Sequence, residues 1–267
     1  MAPTFARIRF EACPLCGHEE ADVLHEASCA AHPLYRRELP GTIRWVCCTG
    51  CRHVFTDGYF GPEALEVLFS GANAAQLPGS EVGMARQTSA RIVERVAGLL
   101  AGQDPERASW LDVGFGNGSL LTTAAEFGFE AVGIDVREEP VRRLAELGFQ
   151  VHRADLMAFA PGRTFDVLSL ADVLEHVPFP RPALARAQAL LAPGGLLFIS
   201  MPNRESFNWQ ALDREGRNPY WGELEHLHNF GRAGLQALLR ETGFDPVQYA
   251  VSQRYVAGME LLARRRA

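Results

Sequence analysis

The chain has 267 residues, 47% of them hydrophobic, and a formal net charge of −6, which fits one large domain or a medium domain with a small appendage. All 26 residues counted as Lys or Arg are Arg, which excludes a lysine Schiff base, a P-loop lysine and a lysine general base. The acidic balance argues against nucleic acid and anionic membranes as partners, and the lack of a signal-like or membrane-spanning apolar run predicts a cytoplasmic protein.

The first feature along the chain is a set of six cysteines, all within the first 51 residues. Two C-x-x-C units with 31 residues between them can place four thiolates around a tetrahedral zinc ion, and their members are Cys13, Cys16, Cys48 and Cys51. Cys47 leaves the register of the second unit open, although the C-x-x-C spacing favours Cys48. His18 and His53 are alternative ligands, and a redox role for one C-x-x-C unit is the alternative to metal.

Four thiolates fill the coordination sphere of zinc, so we expect a structural ion in a small zinc-ribbon-like module at residues 1–56. Residues 1–80 contain six Arg and nine acidic residues, which argues against a module that binds RNA. A connector at 57–83 follows, rich in Gly, Pro, Ala and aromatic residues, with one short helix predicted over 62–69.

From residue 84 the pattern becomes an alternation of helices and buried strands, beginning with a helix over 84–101. The predicted strands are 110–115, 131–136, 149–154, 165–171 and 196–201, and the helices between them are 119–127, 138–147 and 181–192. A helix over 231–241 and two strands within 246–263 end the chain. This alternation predicts an α/β fold with a parallel sheet, whose ligand binds at the carboxyl ends of the strands.

A glycine-rich loop follows the first of these strands, with Gly114, Gly116 and Gly118 at alternate positions before a helix. Glycines there let the backbone turn sharply and approach a ligand. A dinucleotide site has the spacing G-x-G-x-x-G, whereas here Ser119 stands at the third glycine position. Asp112 just before the loop would repel a pyrophosphate but could pair with an ammonium group.

This loop resembles motif I of the class I S-adenosyl-L-methionine (SAM)-dependent methyltransferases, and more motifs of that family follow in order. They are Gly-Ile-Asp at 133–135, Ala-Asp-Leu at 154–156, FDVLSLADVLEHV at 165–177, LLAPGGL at 190–196, HLHNF at 226–230 and ETGF at 241–244. The resemblance covers about residues 84–250, and it is nearest to the branch called methyltransferase type 23, with ubiquinone-biosynthesis and sugar-modifying enzymes.

The resemblance implies a Rossmann-like seven-stranded sheet in the order 3-2-1-4-5-7-6, with an antiparallel seventh strand, within a domain at 84–267. It also implies SAM as the cofactor and S-adenosyl-L-homocysteine (SAH) as its product. The residues expected to bind the cofactor are Asp112, Gly114, Gly116, Gly118, Asp135, Val136, Asp155, Leu156, Leu170, Ala171 and Arg86.

Methyl transfer is an in-line displacement, and a hydroxyl or carbon acceptor must also lose a proton. Without Lys, the candidate bases are His176 after the fourth strand and His226 and His228 before the last helix, of which the family tail favours His228. The alternative for His176 is that it packs against the following turn. Glu175 and Glu225 are expected to be structural or solvated.

The long insertion at 204–229 suggests a lid over the substrate. The expected substrate residues in or beside it are Asn203, Trp209, Tyr220 and Trp221. We therefore expect a methyltransferase acting on a small-molecule acceptor, such as a sugar or a natural-product intermediate. The alternatives are an RNA-modifying methyltransferase that uses the zinc module for binding, and a non-catalytic zinc scaffold that retains the SAM fold.

Overall fold

The computed structural model describes residues 4–69, 82–100 and 104–267. The amino-terminal part contains β1 (Ile8–Arg9), β2 (Ala21–Ser28), β3 (Thr42–Cys48), β4 (Val54–Thr56) and β5 (Gly58–Tyr59). The short helix predicted in the connector is present as α1 (Pro62–Phe69), and residues 70–81 of the connector lie outside the described residues. The predicted domain boundaries at 56 and 83 stay a prediction.

The first long helix is α2 (Val82–Leu99), close to the predicted 84–101. Its side chains at helical spacing, Ile92, Val93 and Val96, are buried against the central sheet, as the periodicity predicts. None of the helices in the described part of the chain is both long enough and apolar enough to span a membrane.

A seven-stranded sheet forms the centre of the fold. In chain order its strands are β6 (Ser109–Val113), β7 (Glu130–Asp135), β8 (Gln150–Arg153), β9 (Phe165–Ala171), β10 (Leu191–Pro202), β12 (Phe244–Val251) and β13 (Gly258–Arg265). In space they lie in the order β12-β13-β10-β9-β6-β7-β8. The first five are parallel, and β13 is antiparallel to β10 and β12. The predicted order 3-2-1-4-5-7-6 is confirmed.

Helices α2, α3 (Ser119–Glu126), α4 (Glu138–Glu146), α5 (Pro180–Leu190) and α7 (Arg232–Glu241) pack against the central sheet and cover both of its faces, whereas α6 (Phe207–Arg214) packs within the insertion through Trp209. Neighbouring strand residues point to opposite faces, so Trp110 packs with α2 and α3 while Leu111 packs in the cluster that includes α5 and α7. The parallel strands are therefore buried on both sides, which explains their continuous apolar runs.

The boundary between α5 and β10 differs from the prediction. The helix ends at Leu190 and the strand begins at once, whereas the sequence predicted a helix to 192 and a strand from 196. Gly194 has φ +75°, and the pairing of β10 with β9 shifts register between Leu191 and Leu196. The Pro-Gly-Gly turn is thus a bulge inside a longer strand.

The amino-terminal module has its own antiparallel sheet in the order β11-β4-β3-β2, where β11 is His228–Asn229. The buried Trp45 of β3 anchors this sheet, and its indole Nε1 donates to the carbonyl of Trp221, 2.8 Å away. His228 pairs with Phe55 across β11 and β4, and Thr56 N donates to the Leu227 carbonyl at 3.0 Å. The module therefore includes a strand from the far end of the chain.

Candidate functional site

The predicted glycine loop joins β6 to α3 at the carboxyl edge of the sheet. Gly114, Gly116 and Gly118 all have positive φ, at +64°, +60° and +77°. A Cβ at Gly114 would lie 2.8 Å from Cγ2 of Val173, and one at Gly118 would lie 2.6 Å from Cδ1 of Leu144. The positive φ favours glycine at all three positions, and a Cβ would also crowd a neighbouring side chain at Gly114 and Gly118, so the loop presents bare backbone at this edge.

Asp112 lies on β6 beneath this loop and is only 1% exposed. Its Oδ1 accepts a hydrogen bond from Ser169 Oγ at 2.5 Å, whereas Oδ2 has no partner among the described residues. Burial raises the pKa of Asp112 to about 7, although the Ser169 bond acts in the opposite direction. A buried carboxylate oxygen without a partner is costly, so this atom is suited to receive a cationic ligand group.

Asp135 ends the neighbouring strand β7, and it is also buried. Its Oδ2 accepts from the backbone N–H of Gly116 at 3.1 Å, so the acid and the glycine loop are in direct contact. Arg137 donates to both carboxylate oxygens, at 3.0 Å from Nε and 2.9 Å from Nη2. A ligand hydroxyl that binds Asp135 would share these oxygens with Arg137.

The other predicted cofactor residues have varied surroundings. Val136 is half-exposed beside Asp135, and Asp155 Oδ1 caps its own turn by accepting from Met157 N at 2.8 Å. Arg86 is exposed on α2 and binds Glu126 of α3 at 2.7 Å. The last three predicted cofactor residues lie near the carboxyl ends of strands. Leu156 and Leu170 are buried, and Ala171 is half-buried.

Sequence reasoning missed a polar cluster around Asp172, the residue directly after β9. Asp172 has a positive φ of +56°, which is uncommon for a residue other than glycine. Its Oδ2 accepts from the hydroxyl of Tyr255 at 2.8 Å and pairs with Arg254 at 3.0 Å, while Oδ1 accepts from Ser200 at 3.1 Å. The negative charge of Asp172 raises the pKa of Tyr255 well above its ordinary value. The loop between β12 and β13 is thereby tied to this edge.

Glu175, His176 and His226 meet just beyond Asp172. One ligand atom of each lies within 4.8 Å of the others, which is close enough for all three to bind the same group. Glu175 was expected to be structural or solvated; it is 1% exposed, which excludes the solvated alternative, and neither carboxylate oxygen has a partner among the described residues. Burial raises the pKa of Glu175 well above its ordinary value and lowers that of His226 well below. Both side chains therefore favour their neutral forms.

The two rings of this cluster have different hydrogen-bonding states. His176 Nδ1 lies 3.0 Å from the carbonyl oxygen of Glu225 and must donate to it, which leaves Nε2 as the nitrogen available to accept a hydrogen bond. His226 is 9% exposed, and its Nδ1 has no partner in the described structure. His176 is thus the ring that presents an oriented acceptor nitrogen.

His228, the base favoured by sequence, is 1% exposed and has partners at both ring nitrogens. Nε2 lies 2.9 Å from the Val177 carbonyl and Nδ1 lies 3.0 Å from Nε2 of His53. Burial lowers the pKa of His228 to about 4. These contacts give the ring an anchoring geometry, and its role as a base stays an untested prediction.

The predicted substrate residues of the insertion pack mainly against one another. Trp209 and Tyr220 are buried and stacked, with ring centroids 5.0 Å apart. Trp221 lies against Trp45 of the module at 5.7 Å and donates to Asp213 at 2.6 Å. Asn203 is buried and its Oδ1 accepts from Glu205 N at 3.0 Å. The insertion is therefore a packed structure that joins the module to the sheet edge.

The four cysteines predicted as metal ligands lie together. Their sulfur atoms are all within 4.8 Å of one another, with Cys13–Cys51 at 3.7 Å and Cys16–Cys48 at 3.6 Å. Cys47 is outside this cluster, as the C-x-x-C spacing predicted. Of the alternative ligands, His18 binds Thr49 at 2.9 Å and His53 binds His228. Burial raises the pKa of Cys51 to about 11, and a bound cation would oppose this shift by favouring the thiolate.

Comparison with known proteins identifies the family to which the chain belongs. The model of a methyltransferase-domain family matches residues 84–249. A ubiquinone biosynthesis O-methyltransferase of Bordetella avium is 31% identical over 166 residues, which cover 58% of this chain and 67% of that protein. The Cronobacter sakazakii enzyme of that name is 33% identical over 126 residues, covering 44% of this chain and 49% of its own length. The chain thus spans about half the length of several curated relatives that it matches.

Solved structures show the same fold. The 1,6-didemethyltoxoflavin-N1-methyltransferase of Burkholderia thailandensis, with bound SAH, has a TM-score of 0.57 at 22% identity and covers 82% of this chain and 98% of its own. Magnesium protoporphyrin IX methyltransferase from Synechocystis PCC 6803, also with bound SAH, has a TM-score of 0.55 at 20% identity, covering 68% and 85%. The family match shows that the chain belongs to the methyltransferase-domain family, and the sheet order shows that it has the class I methyltransferase fold.

Proposed function

We propose that this chain methylates a small polar molecule held at the carboxyl edge of the central sheet. The observation that carries the proposal is a set of buried acidic oxygens without partners in the described structure: Oδ2 of Asp112 and both oxygens of Glu175. Buried polar atoms are normally hydrogen-bonded, so these atoms indicate two ligand positions along one edge. Asp112 belongs to the cofactor position and Glu175 to the acceptor position.

The residues at the first position suit SAM. The cofactor supplies an electrophilic methyl group on a positively charged sulfur. Asp112 Oδ2 would accept from its ammonium group, and the glycine loop allows close approach to the backbone. Asp135 would accept from ribose hydroxyls, and further contacts with adenine and the chain are proposed for Val136, Asp155, Leu156, Leu170, Ala171 and Arg86. The two methyltransferases that carry SAH in their structures support this cofactor.

At the second position we assign the base to His176, in preference to His228. The Glu225 carbonyl orients the His176 ring, and Nε2 is then free to accept the proton that the acceptor loses. Glu175 and His226 would hold donor groups of the acceptor, such as hydroxyl or amine hydrogens. This favours an acceptor rich in hydroxyl or amine groups, as in a sugar or a natural-product intermediate. Asn203, Trp209, Tyr220 and Trp221 would shape the wall around it.

We also propose that Cys13, Cys16, Cys48 and Cys51 bind one structural zinc ion. Their sulfur atoms are clustered tightly enough to surround a single ion, and four thiolates leave no open position for a substrate. The module has a small core of its own, so the ion would stabilise the two cysteine turns directly.

The cofactor assignment is tested by calorimetric titration with SAH and, separately, with NAD. Micromolar binding of SAH and none of NAD is expected, and the reverse result would overturn the proposed function. The acceptor is then sought by incubating the enzyme with isotopically labelled SAM and hydroxylated or aminated small molecules. Label found only in added RNA would contradict a small-molecule acceptor.

The base is tested with His176→Ala once an acceptor is found. Turnover should fall by about 10²- to 10⁴-fold, while SAH binding remains intact. His152→Ala is the matched control, because His152 is exposed on β8 and lies outside the proposed site. Full activity of His176→Ala would exclude His176 as the base.

A further inference from the structure

His53 of the amino-terminal module reaches the catalytic edge, and the sequence considered it only as an alternative metal ligand. We propose that His53 is a positioning residue, which fixes the tautomer of His228 and thereby holds residues 225–228 in the geometry that orients His176. The inference rests on the proposed function of His176. It gives the module a role in the chemistry in addition to any structural metal.

The position of His53 is set by the second C-x-x-C unit. Its backbone carbonyl accepts from Cys48 N at 2.9 Å, and Arg52 N donates back to the Cys48 carbonyl at 3.0 Å. The His53 ring is 8% exposed and lies parallel to the Phe55 ring at a centroid distance of 6.0 Å. Phe230 covers it from the catalytic domain at 4.9 Å. The ring is thus confined when it reaches His228.

The hydrogen bonds determine which nitrogen carries each proton. The Val177 carbonyl can only accept, so His228 Nε2 must donate across the 2.9 Å contact. A neutral imidazole has a single N–H, so His228 Nδ1 is an acceptor. His53 Nε2, 3.0 Å away, must therefore be the donor. Burial lowers the pKa of His228 to about 4, which keeps this ring in the neutral form the pattern requires.

The bond from His228 Nε2 to the Val177 carbonyl is one of three hydrogen bonds described between residues 225–228 and the turn that follows β9. The other two are the bond from Leu227 N to the Glu175 carbonyl, at 2.8 Å, and the bond from His176 Nδ1 to the Glu225 carbonyl, at 3.0 Å. If His228 lost its donor at Nδ1, the ring could exchange its proton between nitrogens and the bond to Val177 would weaken. The Glu225 carbonyl would then hold His176 less firmly.

The test compares three forms of the full-length protein: wild type, His53→Gln, which retains an N–H donor, and His53→Leu, which does not. Long-range proton–nitrogen NMR of the histidine rings reports their tautomers. We expect the Nε2–H tautomer for His228 in wild type and in His53→Gln, and a mixture of tautomers in His53→Leu. With an acceptor in hand, kcat should fall about 100-fold in His53→Leu and recover in His53→Gln.

Two results would overturn the inference. One is a wild-type His228 in the Nδ1–H tautomer, which needs no variant to observe. The other is a folded His53→Leu protein whose His228 signals and kcat match those of wild type. SAH titration separates this inference from the proposed function, because all three forms should bind SAH equally. Failure of every form to bind SAH would count against the proposed function alone.

Discussion

Replacing Asp112 by Asn should make the protein more stable and its cofactor binding weaker. The Asn side chain has the shape of Asp, and its oxygen can still accept from Ser169 Oγ. The NH2 group of Asn then occupies the position of the unpartnered Oδ2 of Asp112, and the buried negative charge of the carboxylate is lost. Because the two expected effects have opposite signs, misfolding of the variant cannot imitate the result.

The stability effect follows from the pKa of Asp112, which burial raises from 3.8 to about 7. The folded protein holds this proton more tightly than the unfolded chain, so wild-type stability falls as the pH rises from about 4 to about 7. Three pKa units at about 1.4 kcal/mol each give a cost of about 4 kcal/mol above neutral pH. Asp112→Asn removes that cost, so the gain should be largest above pH 7 and should vanish near pH 4.

The binding effect follows from the loss of a charge-assisted hydrogen bond, worth about 1.5–3 kcal/mol, or roughly a 10- to 150-fold weaker affinity for SAH. Wild-type affinity should also fall as the pH drops below 7, and level off once it is about 10- to 150-fold weaker, because protonated Asp112 no longer attracts the ammonium group. The variant should show no such slope. Urea denaturation and calorimetric titration across this pH range measure both effects.

Asp166→Asn is the matched control, since Asp166 lies at the opposite end of the neighbouring strand. Asp166 Oδ2 accepts from both N and Oγ of Ser109, at 2.8 Å each, so its replacement should lower stability and leave SAH affinity unchanged. If Asp112→Asn proved less stable than wild type above pH 7 yet bound SAH with wild-type affinity and pH slope, the assignment of Asp112 would be refuted.

Three further outcomes are expected. Gly114→Ala should destabilise the protein by about 1–2 kcal/mol and weaken SAH binding, because Gly114 has a positive φ and a Cβ there would contact Val173. Gly216→Ala is the control for the contact, since Gly216 has a similar φ of +65° and open space around it. Equal SAH binding by the two variants would contradict the prediction. Cys48→Ser should lower the zinc content, measured by metal analysis, below one ion per chain. Cys29→Ser, which lies outside the cluster, should keep one zinc ion per chain. A full zinc content in Cys48→Ser would refute the assignment of Cys48 as a ligand. Tyr255→Phe removes the donor to Asp172 and should cost about 1 kcal/mol in urea denaturation, and an unchanged midpoint would show that this bond contributes nothing to stability.

The sequence predicted the central sheet well because its strands are buried on both faces and read as apolar runs between amphipathic helices. It also located Asp112, Asp135 and the glycine loop, since these lie at strand ends whose positions follow from the same pattern. The early start of β10 was missed because a Pro-Gly-Gly segment reads as a turn, whereas a bulge keeps it inside the strand.

The remaining site residues depend on tertiary contacts that leave no periodic signal. Asp172 meets Arg254 and Tyr255 only because β12 and β13 carry their connecting loop back to the sheet edge. Glu175 is buried, and its carbonyl accepts from Leu227 N of the insertion; the two bonds of His228 reach His53 of the module and Val177 of the turn after β9. No spacing within the chain indicates that His53 lies beside His228.

The pairing of β4 with β11 has a consequence for biosynthesis. Phe55 leaves the ribosome more than 170 residues before His228, its partner in the sheet. Throughout that interval the edge of β4 that will receive β11 has no strand to pair with, and such edges are prone to associate with other chains. The module can complete its sheet only after the first five strands of the central sheet have been synthesised. Nascent chains stalled between these two strands should therefore be the species that most need chaperones.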